Sequence, residues 1–214
     1  MYARDVEDQT LTFFVSGKLW GDSLVMADRE TDSLWSHILG TAMAGPLKGT
    51  RLRVIPSVIE TWKEWKGKHP STTVTAFPRS ALGYEGRVLQ STQDYVVGLR
   101  QGRAVVAYTL TALAEENAVN DTVDGTPVVV FYEPLGHGAT VFRRGIDGKS
   151  LEFTFQDGTF RAGESTWNPT TGEAIDGPLQ GQRLEALPSI LSFADRWLAF
   201  HPKGRVYGKI AVRP

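Results

Sequence analysis

The chain of 214 residues contains no cysteine. Disulfides, thiol catalysis and thiolate metal sites are therefore excluded. No apolar run reaches the roughly 18 residues that a membrane helix needs. The first ten residues, MYARDVEDQT, also lack the apolar core of a signal peptide. The sequence as written therefore predicts a soluble cytoplasmic protein, and it leaves open an exported, longer form.

An excess of charge of either sign is also missing, with 23 basic and 24 acidic residues and a net charge of -1. Proteins that bind nucleic acids or anionic membranes usually have a surface with clustered positive charge, so we predict neither as a partner. Familiar catalytic motifs are absent from the sequence as well. It has no nucleophile elbow, no His-Glu-x-x-His, no phosphate loop and no dinucleotide glycine pattern.

The sequence does contain an internal repeat. Ser33 to Pro70 aligns without a gap to Ser165 to Pro202, with 15 identical pairs among 38, at an offset of 132. Met1 to Phe13 aligns with Val141 to Phe153 at an offset of 140, so the first copy carries an insertion of 8 residues (140 − 132) between Leu19 and Asp32. The chain is therefore a duplication.

The repeat predicts the domain organisation. We expect a first repeat over residues 1–78, a linker over 79–94 and a second, complete repeat over 95–214. Nothing in the first copy matches residues 95–140, so the first repeat is incomplete at its N-terminal side. The sequence leaves open whether that short repeat is natural or results from a truncated reading frame.

Alternating aromatic and β-branched segments predict a mainly β fold with two short helices, a β-rich α+β class. The helices are expected to begin at Ser57 and Ser189 and to stop at Pro70 and Pro202. Because the first copy lacks strands equivalent to 95–140, it is expected to leave an unpaired sheet edge. Such edges tend to be covered, and we expect a second chain to cover this one in a homodimer.

Five stretches together resemble a known family. They are LTFFVSGKLWGDSLVMADRETDSLWS at 11–36, GPLKGTRLR at 45–53, TWKEWKGKHP at 61–70, VVGLRQGRAVVAYTLTALA at 96–114 and VNDTVDGTPVVVFYEP at 119–134. In this order they resemble the prokaryotic domain of unknown function family thirty-one seventy-nine. The resemblance covers most of the chain and implies its fold organisation rather than an activity.

The chain departs from that family at three positions. The resemblance implies a cysteine where this chain has Glu133, a histidine near Glu116 and a glutamine where it has His37. A thiolate or redox role for the family would therefore not carry over to this chain.

The insertion of the first copy and the residues after it, Asp22 to His37, carry one candidate site. His37, Asp28 and Arg29 would supply a base, a carboxylate and a guanidinium, a set that suits general base chemistry. Trp35, Ser23 and Asp22 would form the ligand-binding part of the site. The alternative is an ordinary turn with an ion pair between Asp28 and Arg29 and a core tryptophan.

The end of the strand Val128 to Tyr132 carries a second candidate site. Glu133 and His137 could bind one divalent metal ion, with Glu116 as a third ligand if the fold brings it near. The alternative is a solvated turn. Three functions stay open. We favour a protein that binds a metal ion or a small molecule, followed by a metal-assisted hydrolase of a small ester or lactone, and then an interaction scaffold.

Overall fold

The computed structural model describes residues 1–58, 62–74, 95–133 and 138–210. In these ranges the chain is mainly β, as the sequence predicts. The first part forms β1 (Asp5–Val6), β2 (Gln9–Thr10), β3 (Phe13–Trp20), β4 (Ser23–Asp28), β5 (Leu34–Ser36), β6 (Thr41–Ala44) and α1 (Trp62–Lys68). The middle part forms β7 (Tyr95–Gln101), β8 (Ala104–Thr109), α2 (Leu110–Glu116), β9 (Ala118–Val123), β10 (Thr126–Glu133) and β11 (Gly138–Arg143).

The last part of the chain completes the second repeat. It forms β12 (Gly145–Ile146), β13 (Lys149–Ser150), β14 (Thr154–Gln156), β15 (Thr159–Ala162), β16 (Ser165–Trp167), β17 (Glu185–Leu187), β18 (Ser189–Phe193), α3 (Ala194–Phe200) and β19 (Arg205–Tyr207). Each helix has seven residues, and none in the described part of the chain is long and apolar enough to cross a membrane.

The first repeat is built on an antiparallel sheet in the order β3-β4-β5-β6. The second repeat has the corresponding sheet in the order β14-β15-β16. β3 has eight residues and β14 has three, so much of the insertion lengthens the β3–β4 hairpin. β3 lies at the edge of its sheet, and six of its eight residues are exposed.

Residues 95–143 contribute strands to two further sheets, which have no counterpart in the described part of the first repeat. Their orders are β17-β11-β10-β9 and β18-β7-β8-β19, with β19 parallel to β8. Helix α2 connects them. It begins where the Thr109 side chain accepts a hydrogen bond from the Ala112 amide, and it ends at Asn117, which has a φ of 58°. Thr is a favourable N-cap, and Asn tolerates positive φ better than most residues.

The two repeats have equivalent cores. The first core consists of Val6, Leu11, Trp35, Ala42 and Leu52, with Tyr2, Phe13, Met26 and Leu47 partly buried against it. The second core contains the counterparts Phe153, Trp167, Ala174 and Leu184, together with Phe160 and Ala162 and with Val129, Phe131 and Phe142 from the added sheet. The added sheet therefore packs against the core of the second repeat.

The tip of the β3–β4 hairpin docks the first repeat onto α3 of the second. Trp20 packs edge-on against Phe200 with ring centroids 4.9 Å apart. Asp22 forms an ion pair with Arg196 at 2.9 Å. Ile38, in the turn after β5, joins a core cluster with Val96, Ala107, Ala194 and Trp197 of the second repeat. The tip of the lengthened β3–β4 hairpin thus contributes contacts that stabilise the interface between the two repeats.

The predicted mainly β class with short helices is confirmed, and the described residues contain a third helix, α2, which Thr109 and Asn117 cap. The predicted start of the second-repeat helix was wrong. Residues Ser189–Phe193 form strand β18 and the helix begins only at Ala194, since β7 pairs with that segment and overrides its helical periodicity. In the first repeat, the described helix begins at Trp62. The predicted linker, 79–94, lies outside the described residues.

Candidate functional site

Asp28 is completely buried and forms a hydrogen-bond centre inside the first repeat. Its carboxylate accepts from Trp35 Nε1 at 2.8 Å and from the amide and hydroxyl of Thr31 at 2.6 and 2.8 Å. Burial raises the pKa of Asp28, but the hydrogen bonds from Trp35 and Thr31 outweigh it and leave the pKa below its usual value. A carboxylate whose lone pairs are used in this way holds the β4–β5 turn together.

The other predicted residues of the insertion are used for packing. Arg29 is exposed, and its guanidinium lies over the Phe14 ring at 5.3 Å from the centroid. Within the described residues it forms no ion pair with Asp28. Asp22 binds Arg196 in the repeat interface, and Ser23 is buried at the start of β4.

His37 lies in the turn after β5, with its amide donating to the Leu24 carbonyl at 3.3 Å. Its own carbonyl accepts from the Tyr2 hydroxyl at 2.8 Å. Loss of hydration lowers the pKa of His37, and the nearby positive N-terminus lowers it further. The lowered pKa favours the neutral imidazole.

The structure does not bring His37 and Asp28 together. Asp28 lies at the end of β4, next to the turn, whereas His37 is opposite Leu24 near the start of the same strand. Four residues of an extended strand separate these two places by about 13 Å. The structure therefore joins Asp28 to Trp35, but it does not assemble the predicted base with that carboxylate.

Two of the three predicted metal ligands lie at the same end of the β9–β10 pair. Glu133 ends β10, and Glu116 ends α2, just before the Asn117 carbonyl accepts from the Tyr132 amide. The Glu116 carboxylate accepts from the Tyr207 hydroxyl at 2.8 and 3.0 Å. His137 lies outside the described residues. No group of three or more His, Asp or Glu suited to a metal occurs in the described ranges, and the metal site stays a prediction.

A concave site does lie beside the insertion, but it uses other residues. It is a pocket of about 470 Å³ between the tip of β3, the turn after β5, strand β6 and the loop after it. The residues that line it are Trp20, Leu39, Thr41, Ala42, Met43, Lys48 and Gly49. Its volume falls in the range of small-molecule sites, which are typically lined by apolar and aromatic side chains with few polar groups.

The charge at this pocket differs from the charge at the equivalent positions of the second repeat. Thr41 pairs with Arg51 across an isolated bridge, and Glu173 pairs with Arg183 in the same way. Glu173 also forms an ion pair with Arg183 at 2.5 Å. Thr41 cannot neutralise Arg51, and within the described residues neither Arg51 nor Lys48 forms an ion pair. Among the described residues, the first repeat therefore has two cations without an ion pair at this place.

Sequence reasoning missed the residues of the pocket because they carry no motif. The available signal was the repeat itself. At the offset of 132, Leu39 corresponds to Thr171, Thr41 to Glu173 and Lys48 to Gln180, in a segment where many other positions are identical. The first repeat thus became apolar and basic where the second is polar.

Comparison with known proteins places both repeats in one family. The family model described as "Protein of unknown function (DUF3179)" matches residues 1–85 and again residues 85–210. Two successive matches fit the duplication. No curated protein matches the chain, and no solved structure does.

Proposed function

Since the chain belongs to the DUF3179 family, whose description states no activity, we propose its function from the pocket of the first repeat: the protein binds a small apolar molecule that carries one anionic group. The observation that carries this proposal is the apolar pocket with two cations at its edge that form no ion pair among the described residues. The proposal retains the small-molecule binding expected from the sequence and moves the site to the neighbouring surface.

The apolar part of the ligand would occupy the walls made by Trp20, Leu39 and Met43. Trp20 is 46% exposed, and it is rigidly placed by its edge-on contact with Phe200. An indole side chain presents a large contact area at a low cost in conformational entropy. Covering such a surface gains about 25 cal/mol for each Å² of apolar area removed from water.

The anionic group of the ligand would face Lys48 and Arg51. Lys48 lines the pocket, and Arg51 lies beside Thr41, its partner across the bridge. A carboxylate is the simplest group that would compensate both cations, and Arg can bind it in a bidentate fashion. The lining residues include neither a carboxylate nor a histidine, so we propose binding here rather than hydrolysis.

Calorimetric titration with octanoate tests this proposal, because octanoate combines an apolar chain with one carboxylate. Octanol serves as the uncharged probe. We expect octanoate to bind more tightly than octanol. Thr41→Glu introduces into the first repeat the glutamate that the second repeat has at the equivalent position. The new carboxylate would pair with Arg51 and repel the carboxylate of the ligand. We therefore expect at least a tenfold loss of octanoate affinity. Lys48→Gln should lose about threefold to fivefold.

Lys18→Gln is the matched control, because Lys18 is an exposed lysine on β3 that does not line the pocket. Its affinity for octanoate should equal that of the unmodified protein. If octanoate gives no saturable heat, or if Thr41→Glu binds it as well as the unmodified protein does, the proposal is wrong.

A further inference from the structure

A second group of basic side chains meets at the interface between the repeats, away from the pocket. Val96, Gly98 and Arg100 alternate along β7 and therefore share one face of the sheet. Trp197 of α3 covers that face closely, because a Cβ on Gly98 would lie 2.4 Å from its ring. His201 follows one turn later, and its ring packs at a tilt against Trp197 with ring centroids 4.3 Å apart.

The turn after α3 brings His201 to the end of β7 that carries Arg100. Arg100 pairs with Val105 of β8. A Cβ on Gly204 would lie 3.4 Å from the Val105 side chain and 3.1 Å from the His201 carbonyl. The 201–204 turn therefore covers the strand pair at Arg100. Consistent with this, the charge of Arg100 contributes, after burial, to lowering the pKa of His201.

Residues of the first repeat cover the region around Trp197 and Arg100 from the opposite side. Ile38 packs against Val96 and Trp197, and the Tyr2 hydroxyl donates to the carbonyls of His37 and Ile38 at 2.8 and 3.1 Å. Burial raises the pKa of Tyr2 to about 12, and the charge of Arg100 opposes that rise. The charge of Arg100 thus affects the pKa of Tyr2 in the first repeat and of His201 in the second.

Two polar nitrogens in this region have no partner among the described residues. They are His201 Nε2 and Trp197 Nε1, and both are buried. In the first repeat the equivalent Trp65 Nε1 donates to Thr72 at 3.1 Å, but the counterpart of Thr72 is Gly204. Arg100 is half-buried and forms no ion pair within the described ranges. Buried donors and charges without partners are costly, so such groups normally have a partner.

We propose that a small oxyanion, of the phosphate or carboxylate type, binds at the repeat interface between Arg100 and His201. The guanidinium supplies the charge and a forked pair of donors. His201 Nε2 supplies a further donor. The anion would thereby tie strand β7 and the end of α3 to the first repeat through the Tyr2–Ile38 contact. This site is independent of the proposed octanoate pocket, because the two share no residue.

Inorganic phosphate and acetate are the probes, each titrated at constant ionic strength with chloride as the balancing salt. We expect the melting temperature to rise saturably, by about 2–5 °C at ten times the dissociation constant. A response to phosphate alone would identify a phosphate-type site, and a response to acetate alone would identify a carboxylate site. Either response supports the proposal. Arg100→Gln should abolish it.

The matched control is Arg103→Gln, since Arg103 is exposed at the tip of the same hairpin. It should respond like the unmodified protein. Should Arg100→Gln fold poorly, the imidazole resonances of His201 in the unmodified protein provide a second readout, because a bound anion should raise the pKa of His201. If neither probe gives a saturable shift, or if Arg100→Gln responds like Arg103→Gln, the proposal is wrong.

Discussion

Trp35 donates its indole N–H to the carboxylate of Asp28 at 2.8 Å, and both side chains are fully buried. The equivalent Trp167 donates instead to the carbonyl of Ala162, at 3.0 Å. The two tryptophans occupy the same place in the two cores, so the difference lies in the acceptor. The β4–β5 turn of the first repeat is longer than the β15–β16 turn, and Asp28 organises its additional residues by bonding to Thr31.

Asp28→Asn should destabilise the protein by about 2–3 kcal/mol, because an amide cannot accept all the bonds that the carboxylate accepts and leaves buried donors unsatisfied. Urea unfolding measures the change. Asp32→Asn in the same turn is the control and should be nearly neutral, since Asp32 is exposed and Asn tolerates its φ of 54°. Equal destabilisation by the two variants would show that the buried hydrogen bonds are not the cause.

Trp20→Ala should weaken octanoate binding about tenfold and should also lower the free energy of unfolding by about 1–2 kcal/mol. Both effects follow from one side chain that lines the pocket and packs edge-on against Phe200. Calorimetry and urea unfolding measure them separately. Trp62→Ala removes a tryptophan that is 52% exposed and outside the pocket, so it should leave octanoate affinity unchanged.

Gly98→Ala should destabilise the protein by about 1–3 kcal/mol, because the new methyl group would lie 2.4 Å from the Trp197 ring. Gly67→Ala is the matched substitution. It lies in α1 with nothing within 4 Å of the added Cβ, and alanine favours a helix, so it should stabilise by about 0.5–1 kcal/mol. Melting curves should therefore shift in opposite directions. A shift in the same direction would contradict the close packing of Trp197 on β7.

Stability should fall as the pH is lowered from 7.5 to 5. The folded protein lowers the pKa of His37 and of His201 through burial, below the ordinary value of 6.5. The unfolded chain therefore binds protons first, and the free energy of unfolding decreases between about 6.5 and the two lowered pKa values. Urea unfolding across this range measures the slope. Replacing both histidines with asparagine should flatten the curve, and an unchanged slope would assign the effect to other groups.

The predicted homodimer can be tested at the edge strand β3. Val15 and Leu19 on β3 are 67% and 68% exposed, which favours contact with a second chain. A bulge between them, with Lys18 beside it, protects part of the edge from continuous pairing. Light scattering at micromolar concentration should give the mass of a dimer, and Val15→Lys should give a monomer. Val74→Lys replaces another exposed valine, 69% exposed, and should leave the mass unchanged.

Much of the fold could be predicted because the relevant signals are local. The duplication is visible as identical residues at a constant offset, and the mainly β class follows from alternating apolar residues between turn signals. Hairpins such as β7–β8 were predictable, since two alternating segments flank a Gln-Gly turn. The family resemblance rested on the same segments and is confirmed over residues 1–85 and 85–210.

The candidate site could be predicted only as far as its neighbourhood. The insertion of the first repeat lies beside the proposed pocket, which Trp20 at the tip of β3 helps to line. His37 and Asp28, however, are close in sequence but lie at opposite ends of the β4–β5 pair. They are far apart because the extended strand β4 runs between these two ends. Lys48 lines the pocket from the loop after β6, where no candidate site residue is predicted from the sequence.

The sequence by itself thus determined the duplication, the mainly β class and the absence of thiol chemistry, all of which depend on local pattern or on composition. The tertiary structure alone decided that Ser189–Phe193 is a strand, because its partner β7 is some 90 residues away along the chain. It also decided that Trp20 packs on Phe200, since this contact depends on how the two repeats dock. A linear pattern carries no record of docking.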